Sequence, residues 1–313
     1  MTRLLVTGAD GFVGRWLVRA ARADGHRVVA AIIPGALPPP DWQAAAVLPP
    51  VEVVHADFRE VEDVARLAAL RPDAVVHLAA IASGAAAREN PDAANLINGA
   101  MAAVFGELLG KNGSPRFLFV STGEVYGPDH TGPIPETAPR NPRSPYAISK
   151  ENAEIPLEML WRDSALPVII ARAFPHTGPG QSTAYVLPAL AARLKEAKRR
   201  GASAVRTGNL AEVRDFLDVR DVVRAYLLLL DRGVPGEVYN VASGVGHRLA
   251  DCFTTLARLV GVAAHAVEDA ALLRPGDIPV LIGDATRLRN STGWSPQIPF
   301  ERTLQDLVDA QAD

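Results

Sequence analysis

Tyr146 stands four residues before Lys150 in the stretch SPYAISK, residues 144–150. The chain has 313 residues, 5 tyrosines and 4 lysines, so this spacing arises by chance with an expectation of about 6%. On a helix, positions i and i+4 share a face. An ammonium beside a phenol favours the phenolate and lowers a pKa that starts near 10. The tyrosine can then exchange a proton with a carbonyl or alcohol oxygen near neutral pH. A positioned group of this kind contributes about 10²–10⁴-fold to a rate. Such chemistry also needs a hydroxyl to share the oxygen. The stretch FVSTGEVYG (119–127) ends an apolar run and supplies Thr122 for that task. Glu124, two residues on, is a candidate second acid or base.

These groups need a scaffold, and the first half of the chain alternates in a way that provides one. Apolar runs at 3–8, HRVVAAIIPG, 51–57, DAVVHLAA, 116–121 and 166–174 are separated by helical patterns. Short apolar runs of this kind predict strands buried on both faces of a parallel sheet. The expected fold is α/β, a doubly wound, Rossmann-like parallel sheet with a smaller C-terminal α/β substrate domain. The boundaries expected are 1–174 for dinucleotide binding and 175–313 for substrate, with 215–242 returning to the first domain. The proline-rich segment 34–50 reads as a surface loop.

The stretch TGADGFVG sets Gly8, Gly11 and Gly14 between the first strand and the first helix. Glycines there let the backbone turn sharply and approach a pyrophosphate at the helix N-terminus. About 20 residues further on, an acid would bind a ribose 2′-OH and favour NAD. The chain reads AAIIPGALPPP there and has no acid, which favours NADP(H) over NAD(H). Arg15 could face a 2′-phosphate or simply be solvated. Asp57 suits either a hydrogen bond to the adenine amino group or an N-cap for the helix after it.

Net charge is -3, with 32 basic and 35 acidic residues and no long basic run, so nucleic acid is not an expected partner. The single cysteine, Cys252, rules out an internal disulfide and reads as a buried thiol in a reducing, cytoplasmic protein. No apolar stretch reads as a membrane span, and no metal site is expected.

The glycine loop, the strand-end hydroxyl and the tyrosine–lysine pair together resemble the extended short-chain dehydrogenase/reductases that act on nucleotide sugars. RPDAVVHLAA, STGEVYG, NPRSPYAISK and GEVYNVASG fit that family in order and spacing. The resemblance implies Thr122, Tyr146 and Lys150 as the catalytic group. It implies cofactor contacts from Gly8, Gly11, Phe12, Val13, Gly14, Asp57, Phe58, Leu78, Ala79, Ala80, Tyr146, Lys150 and His176. The segments 172–181, 208–226 and 273–301 resemble the GDP-4-keto-6-deoxy-mannose reductase branch. That implies reduction of GDP-4-keto-6-deoxy-D-mannose to GDP-D-rhamnose with NAD(P)H. Arg214, Arg274 and Asp277 would then contact the nucleotide, with Thr122, Glu124 and Tyr146 at the sugar. Arg suits phosphate because its planar fork matches the oxygens. The resemblance also implies a homodimer. Two alternatives are a 4,6-dehydratase or 4-epimerase that recycles its cofactor, and a dinucleotide-binding protein without catalysis. Pro175 stands where the family has a substrate-contacting asparagine, and Gly123 where thymidine-type dehydratases have an aspartate.

Overall fold

The computed structural model describes residues 2–43, 49–164, 166–273 and 278–311. At its centre lies a seven-stranded parallel sheet. The six apolar runs become β1 (Arg3–Thr7), β2 (Arg27–Ile32), β3 (Glu52–His55), β4 (Ala74–His77), β5 (Arg116–Thr122) and β6 (Val168–Ala173). The strand Val238–Val241 joins them beside β6, giving the spatial order β3-β2-β1-β4-β5-β6 and then Val238–Val241. The direction of winding reverses between β1 and β4. In doubly wound sheets, that is where ligands collect, beyond the strands' carboxyl ends.

Strand residues alternate between two apolar layers, so both faces must be covered. In β1, Leu4 and Val6 enter one layer and Leu5 the other. The first layer receives α1 (Phe12–Ala23) through Leu17, Val18 and Ala21, and the helix Val219–Arg232 through Val222, Leu229 and Tyr226. The second receives α2 (Val61–Ala68) and the helices Met101–Lys111 and Pro145–Ser164. A third, separate core forms between the helices Val186–Arg200, Leu249–Val260 and Phe300–Ala310. Cys252 is buried in it.

Two segments depart from the sequence reading. Within 34–50, Trp42 is fully buried in the first core, and Arg22 donates to the carbonyls of Asp41 and Pro49. The described part of that loop is thus pinned to the sheet. The stretch between β4 and β5, unassigned by periodicity, is helical, with a π-helical turn at Asn95–Ala100. The run Pro91–Lys111 is 21 residues long and apolar enough to cross a membrane by length and composition, which corrects the expectation that no such stretch exists. Its Phe105 and Leu109 are fully buried against the sheet, the arrangement of a core helix.

Candidate active site

β1 ends at Thr7, and the chain turns through Gly8 at φ 63, a left-handed conformation that favours glycine. A Cβ on Gly8 would stand 2.8 Å from the Ala79 nitrogen, and one on Gly14 would stand 2.4 Å from the Gly8 carbonyl oxygen. Both clashes are with backbone, so neighbouring side chains cannot relieve them. Gly11 is the N-cap of α1, with no side-chain cap and no acid in the first turn. The positive end of the helix is therefore left for an anion.

A cleft of about 570 Å³ opens along the carboxyl edge of the sheet. It brings together nearly all the residues singled out in the sequence. Gly8, Gly11, Phe12, Val13 and Gly14 form one wall, and Asp57 and Phe58 lie at the end of β3. Leu78, Ala79 and Ala80 follow β4, Thr122 ends β5 with Glu124 just after it, and Tyr146, Lys150, His176 and Arg214 also line the cleft. Arg274 and Asp277 lie outside the described residues.

Asp57 is not the cap of α2, whose N-cap is Glu60. Its carboxylate accepts from the Arg59 guanidinium at 2.5 Å, and this contact holds its pKa below the ordinary range. His176 is held by a hydrogen bond of 2.9 Å between Nδ1 and the Phe174 carbonyl. Its ring stacks on Phe12 with centroids 6.5 Å apart. Burial lowers its pKa, against the opposing effect of that carbonyl. Arg214 reaches the cleft, but its guanidinium is engaged by Glu212 and by the carbonyls of Val213 and Ile278. Any phosphate at Arg214 would have to share it with those partners. Pro175 lies at the junction between this cleft and a second one, lined by Arg143, Arg193 and Arg214 among others.

The helix carrying the pair begins with Pro145 at its first position, suited by a fixed φ and no needed N–H. Tyr146 is half-buried and lines the cleft together with Thr122. Thr122 accepts from the Glu124 N–H at 3.2 Å. Lys150 is 3% exposed and donates to the Val120 carbonyl at 2.7 Å, with its ammonium 4.9 Å from the Phe119 ring centroid.

The electrostatics differ from the sequence expectation that Lys150 lowers the Tyr146 pKa. The phenol is raised above its ordinary range, first by burial and then by Glu124, Tyr185 and Tyr226, with the Thr122 hydrogen bond opposing. Lys150 is itself lowered from 10.5 to about 7 by burial, against the pull of Glu154, one helical turn further on. Desolvation disfavours the charged form of each, so the two groups move in opposite directions.

Several residues at the site had no signal in the sequence motifs. Asn98 is fully buried in the π-helical turn, accepts from the Ile81 N–H at 2.7 Å and donates to the Ser149 hydroxyl at 3.0 Å. It thereby ties the cleft wall after β4 to the residue before Lys150. A polar residue in the otherwise apolar run LINGAM was its only mark. Phe174, Gln181, Tyr185 and Tyr226 also line the cleft. Phe174, Gln181 and Tyr185 lie in loops where spacing carries no code, and Tyr226 lies mid-helix in Val219–Arg232, where it reads as a core residue.

Residues 4–242 match the NAD dependent epimerase/dehydratase family, and the chain belongs to it. Among its relatives, the GDP-6-deoxy-D-mannose reductase of Pseudomonas aeruginosa is 35% identical, over 98% of this chain and 96% of the relative. A solved structure of the Pseudomonas aeruginosa protein RMD, complexed with NADPH, superposes with a TM-score of 0.84 at 32% identity, covering 99% of this chain and 98% of that one. The Thermus thermophilus UDP-glucose 4-epimerase in complex with NAD gives a TM-score of 0.85 at 28% identity, covering 98% of each chain.

Proposed function

We propose that the protein reduces the 4-keto group of GDP-4-keto-6-deoxy-D-mannose with NAD(P)H, giving GDP-D-rhamnose. The observation that carries this reading is that one cleft brings Thr122, at the carboxyl end of β5, together with Tyr146, Lys150 and the glycine turn. A ketone reduction needs a proton donor, and a raised phenol keeps its proton at neutral pH. The 35% identity to a GDP-6-deoxy-D-mannose reductase supports the same substrate.

The glycine cradle and the open end of α1 fit a dinucleotide pyrophosphate. Asp57 and Phe58 would hold its adenosine end, and Lys150 and His176 its nicotinamide end. The reduced nicotinamide, when bound, supplies the hydride. Tyr146 gives its proton to the carbonyl oxygen, and Thr122 holds that oxygen by a second hydrogen bond. Lys150, anchored on Val120, holds a ribose hydroxyl, and Glu124 stands at the sugar. Arg214, Arg274 and Asp277 would take the nucleotide, on the part of the chain from 175 to 313. Residues 1–174 would take the dinucleotide, together with the helix and strand of 215–242 that pack on that sheet.

NADP(H) is the proposed preference over NAD(H). The end of β2 offers Ile32 and Ile33 to the cleft, with no acid to take a ribose 2′-OH or repel a 2′-phosphate. The proposed homodimer uses an apolar face on which Leu96, Ile148, Ile155 and Met159 are 42%, 37%, 45% and 53% exposed. The single-cysteine composition supports a cytoplasmic location.

The deciding experiment incubates the enzyme with NADPH and the 4-keto sugar, and separately with GDP-mannose, while following absorbance of the reduced cofactor. Net oxidation with the keto sugar is expected. Conversion of GDP-mannose without net consumption would assign a dehydratase instead.

A further inference from the structure

Ser144 sits between the two elements that must meet for proton transfer. Its Oγ accepts from the Ala147 N–H at 3.1 Å, capping the helix that carries Tyr146. Its hydroxyl proton goes to Glu124 Oε2 at 3.2 Å. One small side chain thus bridges the strand-end turn of Thr122 and Glu124 to the first helical turn. Glu124 and Tyr146 line the same cleft.

We propose that Ser144 is a positioning residue for proton transfer, whose hydroxyl ties the Glu124 carboxylate to the first turn of the Tyr146 helix so that it faces the phenol. This inference rests on the reading of Tyr146 as the acid. The groups that share the cleft with the phenol and bear on its pKa are Glu124 from the turn after β5, Tyr185 ahead of the helix Val186–Arg200, Tyr226 from the helix Val219–Arg232, and Thr122. Lys150 shares its own helix. Of these, Glu124 is the only carboxyl group, and after burial it does most to raise the phenol, so its placement bears on how strongly the proton is retained. A reductase uses that retention, because its acid must still be protonated when the substrate arrives.

The test compares Ser144→Ala, Ser144→Thr and Glu124→Gln. Threonine keeps both the cap and the hydroxyl. In the alanine variant, kcat for the keto sugar at pH 7 is expected to fall about tenfold, a loss typical of a displaced reacting group. The KM for the dinucleotide stays within about twofold, and the alkaline limb of kcat moves about one pH unit toward neutrality. Threonine restores both values. A second readout needs no substrate. With ¹³Cζ-tyrosine labelling, the Tyr146 resonance is assigned by its loss in Tyr146→Phe and followed with pH. Its titration should begin at lower pH in Ser144→Ala and Glu124→Gln than in the wild type and Ser144→Thr. An onset unchanged in Ser144→Ala, or a threonine variant as impaired as alanine, overturns the proposal. Should the alanine variant not fold, Glu124→Gln decides by the same onset. Should no variant reduce the keto sugar, the functional reading fails while the titration still judges Ser144.

Discussion

Lys150→Met separates the stability of this protein from its activity. The ammonium of Lys150 is 3% exposed, with no carboxylate in ion-pair contact among the described residues. Its pKa falls from 10.5 to about 7, which corresponds to about 5 kcal/mol of penalty for burying the charged form. Replacement removes that penalty. It also gives up the hydrogen bond to Val120 and the contact with the Phe119 ring, worth together about 2 kcal/mol. A net gain of about 3 kcal/mol is expected below pH 7, or about 4–5 °C in melting temperature for a chain of this size. The sign with pH follows from proton counting. Between about 7 and 10.5 the unfolded lysine keeps its proton and the folded one sheds it. Wild-type stability therefore rises across that window relative to the variant. The gain should be full at pH 6 and close to nothing by pH 9. The assay is calorimetric melting of both proteins at the two values, beside turnover of the keto sugar, which the variant should lose by about 10²-fold or more. A variant less stable than wild type at pH 6, or an advantage that grows with pH, refutes the reasoning.

Three further outcomes follow from the same geometry. Tyr146→Phe should lower kcat about 10²–10⁴-fold while dinucleotide affinity, measured by fluorescence titration, stays unchanged. Gly14→Ala would place a Cβ 2.4 Å from the Gly8 carbonyl oxygen and 2.6 Å from the Ala9 Cα, so titration should show dinucleotide binding weakened by at least about tenfold. Glu154→Gln would remove the charge that Arg172 contacts at 2.7 Å and Arg140 at 3.0 Å, with Glu154 fully buried. Denaturant unfolding should then show a loss of about 3–5 kcal/mol, the cost of leaving a buried guanidinium without its partner.

The sheet was legible because its strands are buried on both faces. A stretch such as RLLVT must be apolar throughout when Leu4 and Leu5 enter opposite layers. The glycine loop was legible for a steric reason, since no other residue fits against the Ala79 backbone or the Gly8 carbonyl. Tyr146 and Lys150 were legible because both lie on one helix, where four residues make one turn. Tyr185 and Tyr226 were not, because each reaches the cleft from a different element, and Asn98 was not, because it acts behind the wall through Ile81 and Ser149, with no fixed spacing linking them. Trp42 shows the opposite failure. Its proline-rich surroundings predict a loop, yet the side chain is fully buried in the first core. The helical run Pro91–Lys111 hid its amphipathicity because alanine and glycine blur the contrast between its faces.

The pair that first marked the site behaves differently once it is folded. In sequence, a lysine four residues from a tyrosine reads as a cation lowering a phenol. In the structure, burial acts on both before either acts on the other. It pushes the phenol up and the ammonium down, and Glu124 adds to the first effect while Glu154 opposes the second. The proton consequently resides on the tyrosine across the neutral range, where a ketone reductase needs it. Burial lowers Lys150 to about 7, and Glu154, itself held by Arg172 and Arg140, opposes that fall. Burial thus leads in holding the proton on the tyrosine and Glu124 adds to it, and the tyrosine–lysine spacing encodes neither.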